Sequence, residues 1–109
     1  MKDDKLYFIH ISESIQRIES YTREGKTAFM KSRLLQDAVV RNFEVIGEAA
    51  KQVSETLKQT SPQIPWKRIG GLRDVLIHNY MGVDFEEVWR IVERDLPDLK
   101  IKIQSILEQ

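Results

Sequence analysis

Cysteine is absent from this 109-residue chain. Its absence excludes disulfides, thiolate nucleophiles and cysteine-ligated zinc or iron–sulfur centres, so any chemistry must use other groups. Long apolar runs are missing too, and none approaches the roughly 18 residues that a membrane-spanning helix needs. No membrane partner is expected. The first ten residues, MKDDKLYFIH, carry acids where a secretory signal wants bases, and no extended apolar core follows. A cytoplasmic location is therefore expected. An excess of charge of either sign is also lacking, because 17 Lys and Arg offset 17 Asp and Glu. No long-range positive field advertises nucleic-acid binding, and such a role would need a local site. Proline and glycine are scarce, at three and five residues, and fall almost entirely in or beside candidate turns.

What remains is a chain with apolar residues at three- and four-residue intervals, which predicts an all-helical fold. One domain spanning residues 1–109 is expected, since the length supports a single core. Phe8, Ile11, Ile15 and Ile18 give the first helix its stripe, over about Asp4 to Thr22, and REGKT then turns the chain. Leu35, Val39, Asn42, Ile46, Ala49, Val53 and Leu57 predict one long second helix, about Ala28 to Leu57, some 45 Å in length at about 1.5 Å per residue. QTSPQIP breaks the pattern, and a short third helix follows. Gly82 fits a helix C′ position and Asp84 an N-cap, ahead of a fourth helix with Phe85, Val88, Trp89 and Val92 on its apolar face. Asp95 is expected to cap a separate last helix, with Pro97 in its first turn and Leu99, Ile103 and Ile106 inward. Two long antiparallel helices with shorter ones across them make an antiparallel four- to five-helix bundle.

The third helix carries GLRDVLIHNYMG, residues 71–82, in which polar groups interrupt an apolar segment. At about 100° per residue, Leu72, Val75, Leu76 and Asn79 share the core side. Arg73 and Tyr80 share one flank, while Asp74 and His78 share the other, with His78 about 140° around and about 7.5 Å along the helix from Arg73. Ile77 and Met81 fall on the outward arc, where a lone monomer would expose them to water. Packing that arc across a two-fold axis would bury both and bring Arg73 and His78 of two chains into one cleft.

Such a cleft suits metal-independent cleavage of a phosphodiester. Histidine titrates near neutrality and can take the proton of a ribose 2′-hydroxyl, and arginine's planar fork can hold the phosphate through the transition state. Tyrosine adds a hydroxyl or a stacking face. No cofactor and no metal ligand set is expected.

Asn42 sits in the apolar stripe of the second helix, where an unpaired amide is costly. It either orients His78 or Arg73, or bonds a backbone group or neighbouring helix. Asp37, Glu44, Glu48 and Glu55 form an acidic stripe that Arg41 and Lys51 offset at helical spacing, the usual pattern of a solvated face. Glu48, within IGEAAK, is kept as a supporting candidate. His10 reads as a surface residue, Trp66 and Trp89 as core. Lys67 and Arg68 either extend a phosphate-binding surface or are solvated charges.

RDVLIHNY resembles the R-x4-6-H-x-Y signature of the HEPN superfamily, and RNFEVIGEAAKQVSE with IPWKRIGGLRDVLIHNYMGVDFEEVW is similar to its HepT-like branch. DFEEVWRIVERDLPDL extends the likeness, so that most of the chain is covered. The resemblance implies a HEPN helical bundle and a homodimer or higher oligomer, with the site at the two-fold interface. It implies the toxin of a type VII-like toxin–antitoxin pair, a metal-independent endoribonuclease cleaving RNA, with tRNA one candidate. Its implied partner is a minimal nucleotidyltransferase antitoxin of the MntA type, which can AMPylate the motif tyrosine. Carried over by position, Arg73 becomes the phosphate or transition-state ligand, His78 the general base or acid, and Tyr80 the modified residue. Asp74, where the family favours a polar residue, often asparagine, is supporting, as is Asn79. An alternative within the same resemblance is a noncatalytic subunit that binds RNA or a nucleotide for a nucleotidyltransferase.

Overall fold

The computed structural model describes residues 2–72, Leu76 and residues 82–108, with the backbone alone at residues 2 and 3. Helix α1 (Lys2–Tyr21) buries the expected stripe, since Phe8, Ile11, Ile15 and Ile18 are each no more than 1% exposed. Thr22 stops it by donating its hydroxyl hydrogen to the Ile18 carbonyl at 2.8 Å. Gly25 then adopts φ +95°, a backbone region that side chains with a Cβ rarely enter, and the chain turns into α2 (Lys26–Lys31).

The long second helix expected over Ala28 to Leu57 is instead three helices. Ser32 is extended and caps α3 (Arg33–Gln52), its Oγ accepting the Leu35 N–H at 3.1 Å. Gln36 seals the break from the other side, donating from Nε2 to the carbonyls of both Phe29 and Met30 at 3.1 Å. At the far end Val53 leaves the helix, and Ser54 caps α4 (Glu55–Thr60) by accepting the Leu57 N–H at 3.2 Å. Two serine hydroxyls thus compete with the helical ladder for its donors, with neither proline nor glycine at the breaks. The apolar period runs on because all three pieces pack against the same core. Ser32→Ala is expected to cost about 1 kcal/mol of stability by urea denaturation, the usual worth of such a cap.

Asp4 fixes the Val53–Ser54 corner. Its carboxylate is buried, and its two oxygens accept the Ser54 backbone N–H at 2.8 Å and the Ser54 hydroxyl at 2.7 Å. Burial alone would raise its pKa, but the two Ser54 bonds outweigh it and hold the carboxyl below its ordinary value. A depressed folded-state pKa means stabilisation that is complete above the unfolded value near ~3.9 and lost as pH falls through the folded value. Asp4→Asn should therefore cost about 1–2 kcal/mol at pH 7 and progressively less below pH ~4, read from denaturation midpoints across pH.

The Asp4–Ser54 contact joins the start of α1 to the end of α3, so the two run antiparallel. After α4, Trp66 donates from Nε1 to the Ser61 carbonyl at 3.0 Å, and its ring meets Phe8 edge-on at 5.8 Å, docking α5 (Trp66–Gly70) on α1. Asp84 caps α6 (Phe85–Arg90) as expected, accepting the Glu86 and Glu87 N–H groups at 3.1 and 3.2 Å. Gly82, whose expected C′ role depends on residues outside those described, has φ +133°.

No cap separates the last two helices. A π-helical stretch (Ile91–Asp95) joins α6 directly to α7 (Leu96–Leu107), and Asp95 is itself helical with no capping bond. Pro97 explains the wide turn, since proline supplies no N–H and crowds the carbonyl four residues earlier, which a π-turn displaces. Lys100 reaches Glu19 on α1 at 2.9 Å, while Ile106 and Leu107 lie by Asp4 and Phe8. Helix α7 is therefore antiparallel to α1. The described residues are all-helical with no strand, a bundle whose core holds Phe29, Phe43, Ile46, Val88 and Ile103 between α1, α3 and the α6–α7 rod.

Candidate functional site

Arg73, Asp74, His78, Asn79 and Tyr80 lie outside the described residues, as do Val75, Ile77 and Met81. Helix α5 buries Ile69 and Gly70 against α3, and Leu72 and Leu76 are 8% and 2% exposed. Both leucines thus take the inward side the wheel assigns them. The aliphatic stem of Lys51 lies over Gly70, where a Cβ would make ordinary contact with Lys51 Cγ at 3.4 Å.

Asn42 is buried in α3, and its Nδ2 donates to the Ala38 carbonyl one turn back at 2.8 Å. Half of the amide is thereby satisfied within its own helix, one of the alternatives open from sequence. Glu48 is exposed and 3.8 Å from Lys51, as a solvated pair would be. Asp37 pairs with Arg33 at 3.0 Å and Glu55 with Lys58 at 3.7 Å, so those members of the acidic stripe are also compensated along their own helices. Glu48 nonetheless shares a shallow groove between α1 and α3 with Tyr7, His10, Arg41 and Glu44. Trp89 is buried, its ring 5.4 Å from Phe29, and Trp66 packs on Phe8, both as core residues.

A deeper cleft of about 320 Å³ adjoins the segment that leads into Arg73. Its floor is apolar: Phe43 from α3, Ile69 from α5, Leu72, and Ile91, Leu96 and Leu99 from the α6–α7 rod, all buried. Its rim carries charges of both signs. Arg68 spans the mouth to Asp95 with a 2.9 Å hydrogen bond, Arg94 stands 3.7 Å from Asp95 and is largely exposed, and Glu87 and Asp98 complete the edge. Glu87 is held by Arg90 and Asp98 by Lys102 at 2.8 Å. Arg68 is thus an exposed charge paired with the π-turn across the cleft mouth. Sequence reading missed this cleft, although Pro97 inside an unbroken apolar period was a signal for a wide turn.

Among the described residues no three His, Asp or Glu side chains converge as a metal site, and no helix is long and apolar enough to cross a membrane. A family model described as ribonuclease HepT-like matches residues 11–106. A Methanocaldococcus jannaschii protein named "Gamma-glutamylcyclotransferase and putative RNase" is 46% identical over 109 residues, covering 99% of this chain but only 49% of that relative. A "Probable ribonuclease HepT" from Thermococcus cleftensis is 40% identical over 106 residues, 96% of each chain. A "Putative RNase" from Caldanaerobacter subterraneus is 34% identical, covering all of this chain and 98% of its own length. No solved structure matches.

Proposed function

This chain belongs to the HepT-like ribonuclease family, and from that premise we propose that it is a ribonuclease whose cutting centre is the segment 73–80. The observation that carries the reading is the coincidence of the family match over residues 11–106 with an intact R-x4-H-x-Y motif in this sequence. His78 takes the proton of the ribose 2′-hydroxyl, the 2′-oxygen attacks the adjacent phosphorus, and the 5′-oxygen leaves with a proton supplied by an acid. Arg73 holds the phosphate as its charge builds. The products are a 2′,3′-cyclic phosphate and a 5′-hydroxyl, and no step requires a metal. RNA is the substrate, with tRNA one candidate.

Asp74 sits next to the arginine in sequence, where a carboxylate can orient the guanidinium, and Asn79 and Asn42 are kept as supporting residues. Glu48 is retained as a supporting residue. A homodimer that packs the 73–81 segments across a two-fold axis would place two such centres in one cleft and cover Ile77 and Met81. In this reading the protein is the toxin of a toxin–antitoxin pair. A MntA-like nucleotidyltransferase neutralises it by moving AMP from ATP onto the Tyr80 hydroxyl, with pyrophosphate and the phenolic proton released, which puts an anionic group where substrate phosphate would bind. The burial of Leu72 and Leu76 is compatible with the reading that gives this segment a core side formed by those two leucines.

The test is incubation of RNA with the purified protein in excess chelator. Cleavage is expected. Tight RNA binding without cleavage would favour the noncatalytic subunit instead.

A further inference from the structure

The cleft beside α5 belongs to no step of the cutting chemistry, and it has the properties of a site. Six buried apolar side chains form its floor, its volume of about 320 Å³ falls at the lower end of small-molecule pockets, and a π-turn shapes its mouth. We propose that this cleft takes a single nucleotide of the RNA strand, a purine base on the apolar floor and its phosphate on Arg94, and so selects the position of cutting. The proposal rests on the ribonuclease reading for its occupant.

Three features favour a nucleotide over a purely apolar guest. The floor leans on Leu72, which is bonded directly to Arg73, so a base seated there belongs to a nucleotide flanking the phosphate that Arg73 holds. The rim is mixed in sign as a nucleotide is: Arg94, 64% exposed and in only a long 3.7 Å contact with its chain neighbour Asp95, remains open to an anion. Asp98 and Glu87, each held by a basic side chain through one carboxylate oxygen, offer the other oxygen to base amino and imino groups. Single-stranded RNA offers unstacked bases for such capture. Guanine, with both amino and imino donors on one edge, fits an acidic rim better than uracil, which offers one imino donor between two carbonyls.

The Arg68–Asp95 bridge spans the mouth, so the strand enters on the Arg94 and Asp98 side or displaces the bridge. Because that bond is exposed, opening it costs little.

Titrating the labelled protein with guanosine 5′-monophosphate, uridine 5′-monophosphate and ribose 5-phosphate, followed by amide NMR shifts, tests the proposal without any cleavage. Shifts at Ile69, Leu72, Ile91 and Leu96 are expected with guanosine monophosphate, with about tenfold weaker binding of the uridine nucleotide, the difference one good base contact makes. Arg94→Ala should weaken guanosine monophosphate binding several-fold with the fold intact. Equal shifts from ribose 5-phosphate, or shifts confined to other surfaces, would overturn it. Cleavage without nucleotide binding here removes the proposal alone; binding here without cleavage removes the ribonuclease reading and the cleft's part in placing a cut, and leaves only a nucleotide site.

Discussion

Replacing His78 with alanine is expected to lower RNA cleavage by about 10²–10⁴-fold, the usual worth of a positioned acid or base. Arg73→Ala should lose about 10²–10³-fold, because a fixed cation aimed at developing phosphate charge supplies several kcal/mol of the barrier reduction. Both proteins should keep the helical circular-dichroism spectrum and urea midpoint of the parent, since the buried side of this segment is carried by Leu72 and Leu76. Steady-state cleavage of a labelled RNA in chelator, beside the denaturation curves, measures both halves of the expectation. Cleavage retained by both variants would remove the assignment of the cutting centre to Arg73 and His78. Lost cleavage with lost folding would show only that the segment is structural, and His78→Gln, closer in size and polarity, separates the two cases.

The second large effect concerns stability. Phe29 is fully buried on α2, a helix of six residues that could not persist alone. Its ring lies 5.4 Å from Trp89 and meets Phe85 edge-on at 6.2 Å, so one side chain clamps α2 to the start of the α6–α7 rod. Phe29→Ala should cost about 3–5 kcal/mol through lost burial and the cavity left behind. Domains of this size hold about 5–15 kcal/mol in total, so much of the margin goes with one ring. Leu34→Ala, at a side chain 79% exposed, should change stability by less than about 0.5 kcal/mol. Urea midpoints of the two variants give the comparison, and a small loss at Phe29 would mean that α2 is not held by this aromatic contact.

The buried stripes of α1, α3 and α7 were legible because periodicity reports which side faces the core, and Phe8, Ile46 and Ile103 are all buried. Where a helix stops was harder to read. Ser32 and Ser54 end their helices through hydroxyls that take a backbone donor, and the same residue type is common on ordinary helix surfaces. The hold on Ser54 comes from Asp4, 50 residues away, which no local pattern reveals. Asp95 misled in the opposite direction: an acid two residues before proline looks like a cap, yet the helix passes through it and its carboxylate reaches Arg68 on α5. For the site, the proposed chemistry rests on the sequence motif, whose residues lie outside those described. The cleft beside it depends on α3, α5 and the π-turn meeting in space, and sequence spacing carries no record of that.

The chemistry of the cut ends tests the central claim most directly. Wild-type protein with an RNA cut at one position, and with the same RNA carrying 2′-deoxyribose there, should give opposite outcomes. The all-ribose strand should yield a 2′,3′-cyclic phosphate and a 5′-hydroxyl, and the 2′-deoxy strand should stay intact at that position. Cleavage of the deoxy-substituted strand at the same phosphate would contradict attack by the 2′-hydroxyl, and with it the role given to His78.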